Sequence, residues 1–127
     1  MNFLADIQRY AKKANLNMND AVVAINSKIT SDIIDATPVD SGRARGNWYA
    51  TIGNYSNEVD LDKKDKSGMS TISKAQKIAN GSAGVVFYLT NNLPYIYEIE
   101  YHGWSKIKAP KGMVRISIKN MKSALKG

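Results

Sequence analysis

The chain has 127 residues and a mass of 14.0 kDa, which suits one domain around a single core. Its 43% apolar and 23% charged residues argue against wholesale disorder, and no apolar run nears the roughly 20 residues that span a bilayer. The net charge is +7; the absence of cysteine excludes disulfides, thiolate nucleophiles and cysteine-bound metals, and His102 is the single histidine.

Phe3, Ile7, Tyr10 and Ala14 repeat at helical spacing, with Leu4 and Ala11 beside them, and predict a first helix. NLNMND interrupts, and Asn19 or Asp20 is placed to cap a second helix. Its stripe is Val22, Ile25, Ile29, Ile33 and Ala36. Thr37-Pro38 should end it, because the residue before proline is pushed out of helical geometry.

The stretch TPVDSGRARGNWYATIG follows, with Pro38, Asp40 and Gly42 suited to a turn and NWYATIG to a short strand. GRARG lacks the glycine spacing and Lys-Ser/Thr pair of a P-loop, and it does not make the GxGxxG fingerprint. In an extended segment Arg43 and Arg45 would point the same way as a two-pronged basic site. Surface ion pairs around a turn are the plainer reading of the same residues.

Residues 54–70 are polar and of mixed charge, which predicts an exposed, mobile loop or hairpin. Within it DLDKKDKSG fails as a calcium loop, since Lys64, Asp65 and Thr71 stand where Asp/Asn, Gly and Glu are needed. TISKAQKIAN reads as a short helix closed by Gly81, and AGVVFYLT as a strand long enough for a central position. In LPYIYEIEYHGW the alternation of Tyr95, Tyr97, Ile99 and Tyr101 favours another strand, with a helical turn after Pro94 as the alternative. On a strand Glu98 and Glu100 would share a face about 7 Å apart, as in some glycosidases. No nucleophile, orienting acid or second constellation accompanies them, so an acidic stripe is preferred and no catalytic, cofactor or metal residue is assigned.

Residues 1–104 hold eleven Lys+Arg and eleven Asp+Glu, so the excess charge lies in Lys106, Lys108, Lys111, Arg115, Lys119, Lys122 and Lys126. Val114, Ile118, Met121 and Leu125 predict a C-terminal helix, and Arg115, Lys119, Lys122 and Lys126 flank that stripe one residue later. Three readings fit the basic stripe: lysines rimming a buried helix, contact with DNA phosphate, or docking on an acidic protein surface. A membrane surface suits it least, because the apolar face has no aromatic residue.

Two segments together resemble the neck and tail-completion proteins of long-tailed bacteriophages, the broad group that includes minor tail protein Z-like sequences. TPVDSGRARGNW resembles their Thr-Pro-Val-Asp-Thr-Gly-Arg-Leu/Ala-Arg-Gly motif. In YLTNNLPYIYEIEYHGWSKIKAPKGMVR the matches are Asn91, Pro94, Tyr95, Glu100, Gly103, Ser105, Ala109, Pro110, Gly112, Met113 and Val114. The two segments cover about a third of the chain, and Ser41, His102 and Lys108 depart from the pattern.

The resemblance implies a structural, non-enzymatic virion protein without cofactors. It would be made in the bacterial host cytoplasm and built into the head–tail neck. It would form a homo-oligomeric ring, a hexamer by preference, that joins the tail tube to the capsid connector with DNA passing through. A free nucleic-acid-binding protein using the C-terminal helix is the alternative.

The expected fold is α+β in one domain. Residues 1–36 are helical, 37–53 turn and strand, and 54–70 a mobile loop. Residues 71–104 give a short helix and strands of a small, mainly antiparallel sheet, and 105–127 the basic helix. Arg43, Arg45, Glu98, Glu100 and Trp104 are the candidate subunit or partner contacts. Arg115, Lys119, Lys122 and Lys126 are the candidate DNA or acidic-partner contacts. Pro38, Asp40, Gly42, Pro110 and Gly112 are assigned to turns.

Overall fold

A computed structural model describes residues 3–101 and 111–126. The fold is α+β, with six helices and a two-stranded antiparallel sheet among these residues. In order the elements are α1 Phe3–Ala14, α2 Met18–Ala36, α3 Arg43–Gly46, β1 Trp48–Ile52, α4 Met69–Asn80, β2 Phe87–Asn91, α5 Ile96–Tyr101 and α6 Val114–Lys126.

The long helix α2 is the spine. It starts two residues earlier than the Asn19 or Asp20 cap implies, because Asn17 takes that role and its side-chain oxygen accepts from the Asp20 N–H at 2.8 Å. It ends at Ala36, where Thr37 adopts extended geometry ahead of Pro38. Its buried residues are Ala21, Ile25, Thr30, Ile33 and Ile34, so the stripe is rotated from the expected one and Val22 is exposed.

Helices α1 and α6 pack together and against α2, while α4 packs on α2 and β1. Asp6, buried on α1, is held by Arg9 at 2.6 Å. The main core lies where α2, α3, α4, β1 and α5 meet: Ile33, Ile34, Ala44, Trp48, Ala75, Leu93 and Ile99, closed by Met113.

Strands β1 and β2 pair from Trp48 with Asn91 to Ile52 with Phe87, although α4 separates them in sequence. The apolar run AGVVFYLT does not form a central strand. Only Phe87–Thr90 of it lies in β2, β1 is its sole partner among the described residues, and Val85 and Val86 stand 50% and 61% exposed.

Residues 96–101 form a helix, which corrects the strand reading. Ile99 and Glu100 are adjacent and both buried, which a half-exposed strand with alternating faces cannot arrange. Tyr97 and Tyr101, four apart, face outward with ring centroids 4.7 Å apart. The expected start of the last helix, 105–110, lies outside the described residues.

The segment 54–70 was expected to be mobile, but it is fastened at three places. Asn92 donates to the carbonyls of Ser56 and Glu58, Asn47 brackets Asp60, and Asp65 caps α4. Ile34, fully buried at the centre of the core, has no room to relax. Truncating Ile34→Ala should lower the unfolding free energy by about 3–4 kcal/mol in urea titration with the slope unchanged.

Candidate functional site

The first motif builds a polar junction at the end of α2. Helix α2 leaves carbonyls without helical donors, and Arg45 supplies them. Its guanidinium donates to Thr37 O at 2.9 and 3.2 Å, to Asp35 O at 2.9 Å and to Lys66 O at 2.7 Å. A cation also suits the negative end of the α2 dipole. The Thr37 hydroxyl donates to Ile33 O at 2.8 Å and accepts from the Trp48 indole N–H at 2.9 Å. Trp48 therefore lies in the core.

Arg43 and Arg45 are not a two-pronged site, because GRARG coils into the helical turn α3. In that geometry residues two apart diverge by about 160°. Arg45 is committed inside the chain. Arg43 retains a buried Nε with no hydrogen-bond partner.

Gly42, at φ +90°, lets this turn close. Its carbonyl accepts from the N–H groups of Gly46 and Asp65, and a Cβ there would lie 2.6 Å from Lys66 N. Pro38 and Asp40 lie on the path between α2 and Gly42, with Asp40 exposed.

Asn47, Asp65 and Thr71 were missed in the sequence. Asn47 is fully buried; its amide donates to Arg43 O and Asp60 O, and its oxygen accepts from Asp60 N–H. Asp65 accepts from Gly68 N–H, Thr71 N–H and the Thr71 hydroxyl, capping α4 from outside. Burial opposes its charge, but these bonds and one from Ser67 outweigh burial and hold the carboxyl below its usual range. An acid three residues before Gly68, at the mouth of a helix, was the signal available. Nothing local to Asn47 signalled its role.

The second motif also turns inward. Glu100, 6% exposed, accepts from the N–H groups of Met113 and Val114 at 2.8 Å and Arg115 at 3.1 Å, the open N-terminus of α6. The Arg115 side chain binds Glu100 Oε2 at 2.9 Å and its carbonyl, and stacks over Tyr101. Burial would raise the Glu100 carboxyl, but the bonds from Val114, Met113 and Arg115 prevail and keep it lowered. Gly112, at φ +81°, admits this approach, since a Cβ there would fall on the Glu100 carboxylate.

Glu98 and Glu100 are consequently no carboxylate pair: on α5 Glu98 is exposed while Glu100 is buried. Glu100 is corrected from a surface contact to a buried carboxylate, and Arg115, half exposed, is its ion-pair partner. Lys119, Lys122 and Lys126 are exposed as expected, and the Lys122 ammonium sits 5.7 Å from the Phe3 ring centre. Trp104 and Pro110 lie outside the described residues. Among the described residues no cluster of three His, Asp or Glu could hold a metal, and no helix is long and apolar enough to cross a membrane.

No family model, no curated protein and no solved structure matches the chain.

Gly42→Ala combines a left-handed backbone with a backbone clash and should cost at least about 2 kcal/mol by thermal or denaturant unfolding. The carboxylates Asp65 and Glu100 are depressed in the fold, so their stabilisation is present above their unfolded pKa values. It is lost as pH falls through the lower folded ones. Stability should hold near neutrality and decline below about pH 4.5. Glu100→Gln should lose about 1–3 kcal/mol at pH 7 and flatten that decline, read by urea midpoints across pH.

Proposed function

We propose that this chain is a structural subunit of the head–tail neck of a long-tailed bacteriophage. In this reading it is a tail-completion or tail-terminator protein that forms a ring joining the tail tube to the capsid connector, with DNA passing through. The observation that carries the proposal is the apolar surface at the open end of the sheet. Ile52, Val85 and Val86 are gathered there by the strand pairing and the Gly53 N–H to Val86 O bond, and all three are exposed. Exposed aliphatic side chains gathered at one end of a sheet offer a surface for another protein to cover.

The two motif segments support the same reading. Their matched residues Gly42, Arg45, Glu100 and Gly112 are all committed to holding the fold. The resemblance is therefore a likeness of scaffold, and contacts fall to the surface around it. Arg43 is the motif's remaining contact candidate, because it is half-buried while the Arg45 guanidinium is committed to three backbone carbonyls of its own chain.

A second reading, a free DNA-binding protein, is favoured by the exposed Lys119, Lys122 and Lys126 on one helix. It requires affinity for duplex DNA that falls steeply with salt and a slope that drops by about 1 for each lysine removed.

Complementation separates these readings. In a phage lacking this chain, the wild-type chain should restore joined heads and tails. Arg43→Ala should fold normally yet restore joining poorly, whereas Arg45→Ala, which strips donors from three carbonyls, should lose about 2–4 kcal/mol of stability. Full rescue by Arg43→Ala would remove that residue from the interface. Normal joining in the phage without any copy of the chain would end the neck assignment.

A further inference from the structure

The chain carries two surfaces that match each other. The first is a groove of about 580 Å³ between α2 and α6. Its floor is apolar, from Ala36, Ile116, Met121 and Ala124, and its α2 wall carries Asp32 and Asp35. Asp32 is paired with Lys28 at 2.6 Å. The exposed Asp35 carboxylate makes no hydrogen bond or ion pair among the described residues. Lys28 lines the groove as well, so its charged lining is two carboxylates against one ammonium, and Asp35 is the carboxylate left uncompensated on a protein of charge +7.

The second surface is the opposite flank of α6 where it meets α1. Phe3, Leu4 and Ile118 form an exposed apolar shoulder there, and Lys122 reaches over the Phe3 ring with Lys119 beside it. Asn120, which lines the groove, and Lys122 are two residues apart and so lie about 160° apart around the helix. An apolar patch edged by lysines therefore faces away from an apolar groove edged by aspartates.

We propose that the α2–α6 groove of one copy receives the Phe3–Ile118 shoulder of a second copy of this chain, with Lys119 and Lys122 meeting Asp35 and Asp32. Two different patches on opposite flanks make the contact heterologous, the kind that repeats from subunit to subunit and gives a ring when the rotation between subunits closes. The inference rests on the ring element of the neck reading and identifies the face that builds it. The exposed sheet end is left free for a different protein above or below.

Charge reversal tests the contact with the full chain in solution, by sedimentation velocity across a concentration series. Asp35, Lys119 and Lys122 are exposed, and a lysine near the C-terminus of α2 suits the helix dipole, so Asp35→Lys and Lys119→Glu/Lys122→Glu should keep the native circular dichroism. The wild type should form a multiple of 14.0 kDa. Each variant alone should need at least about 10-fold more protein to assemble, because like charges then face each other. A mixture of the two variants should assemble again, since each groove then meets a shoulder of opposite charge.

Assembly of both variants at the wild-type concentration would overturn this contact and leave a ring built elsewhere. A wild type that stays monomeric throughout, even with neck and tail-tube proteins added, would overturn the contact and the ring reading together. Loss of DNA affinity in Lys119→Glu/Lys122→Glu, with assembly unchanged in both variants, would assign the lysines to nucleic acid and also overturn it.

Discussion

The fold turns on how the last carbonyls of α2 are satisfied. A 19-residue helix ends at Ala36 against the fully buried Thr37, and its last carbonyls lack helical donors. Arg45 meets that need from eight residues downstream, and its third acceptor, Lys66 O, belongs to the segment that leads into α4. One guanidinium thus sets α2, α3 and the entry to α4 relative to each other. The Thr37 hydroxyl adds β1 through Trp48, so the sheet is aligned by the same junction.

Glu100 performs the complementary task at the other end of the core. There the unsatisfied groups are the first N–H donors of α6, and the side chain brought to them is an anion. Each device is a charged side chain that has crossed a turn to cap a helix it does not belong to. Each also needs a glycine with positive φ close by, Gly42 or Gly112, because a Cβ would occupy the space that the incoming segment uses. This is the physical sense of two arginines among glycines: the glycines make room, one arginine closes the junction, and the other stays on its rim.

Elements with several turns of consistent periodicity were legible: α1, α2, α4, the described part of α6 and the β-branched and aromatic run of β1. Elements of five or six residues were not. In IYEIEY the period of two and the spacing of four coexist, and only the inward pull of both Ile99 and Glu100 decides for a helix. The run AGVVFYLT promised a buried strand because its residues are apolar, but burial also requires neighbours on both sides, and sequence does not count them. Glu100, Arg45 and Asn47 were hardest. Their partners are backbone atoms, which every residue has, so no matching side chain marks them in advance.

The same distinction separates what the motifs encode from what the surface can do. Residues whose acceptors are backbone groups of their own chain are fixed by folding and are free of any further duty. Among the described residues the groups left over include Arg43, the aliphatic end of the sheet, the carboxylate of Asp35 and the lysines of α6, and they differ in character from place to place. An even basic surface would attract any polyanion alike. Here Arg115, Lys119, Lys122 and Lys126 gather on one flank of α6 beside exposed aliphatic and aromatic carbon, while the other flank borders Asp32 and Asp35 together with Lys28. Polyanion binding alone gives no reason for that aliphatic carbon or for the aspartates behind it. A surface that must be covered by apolar groups and oriented by opposite charges does, because burial supplies attraction and charge supplies register.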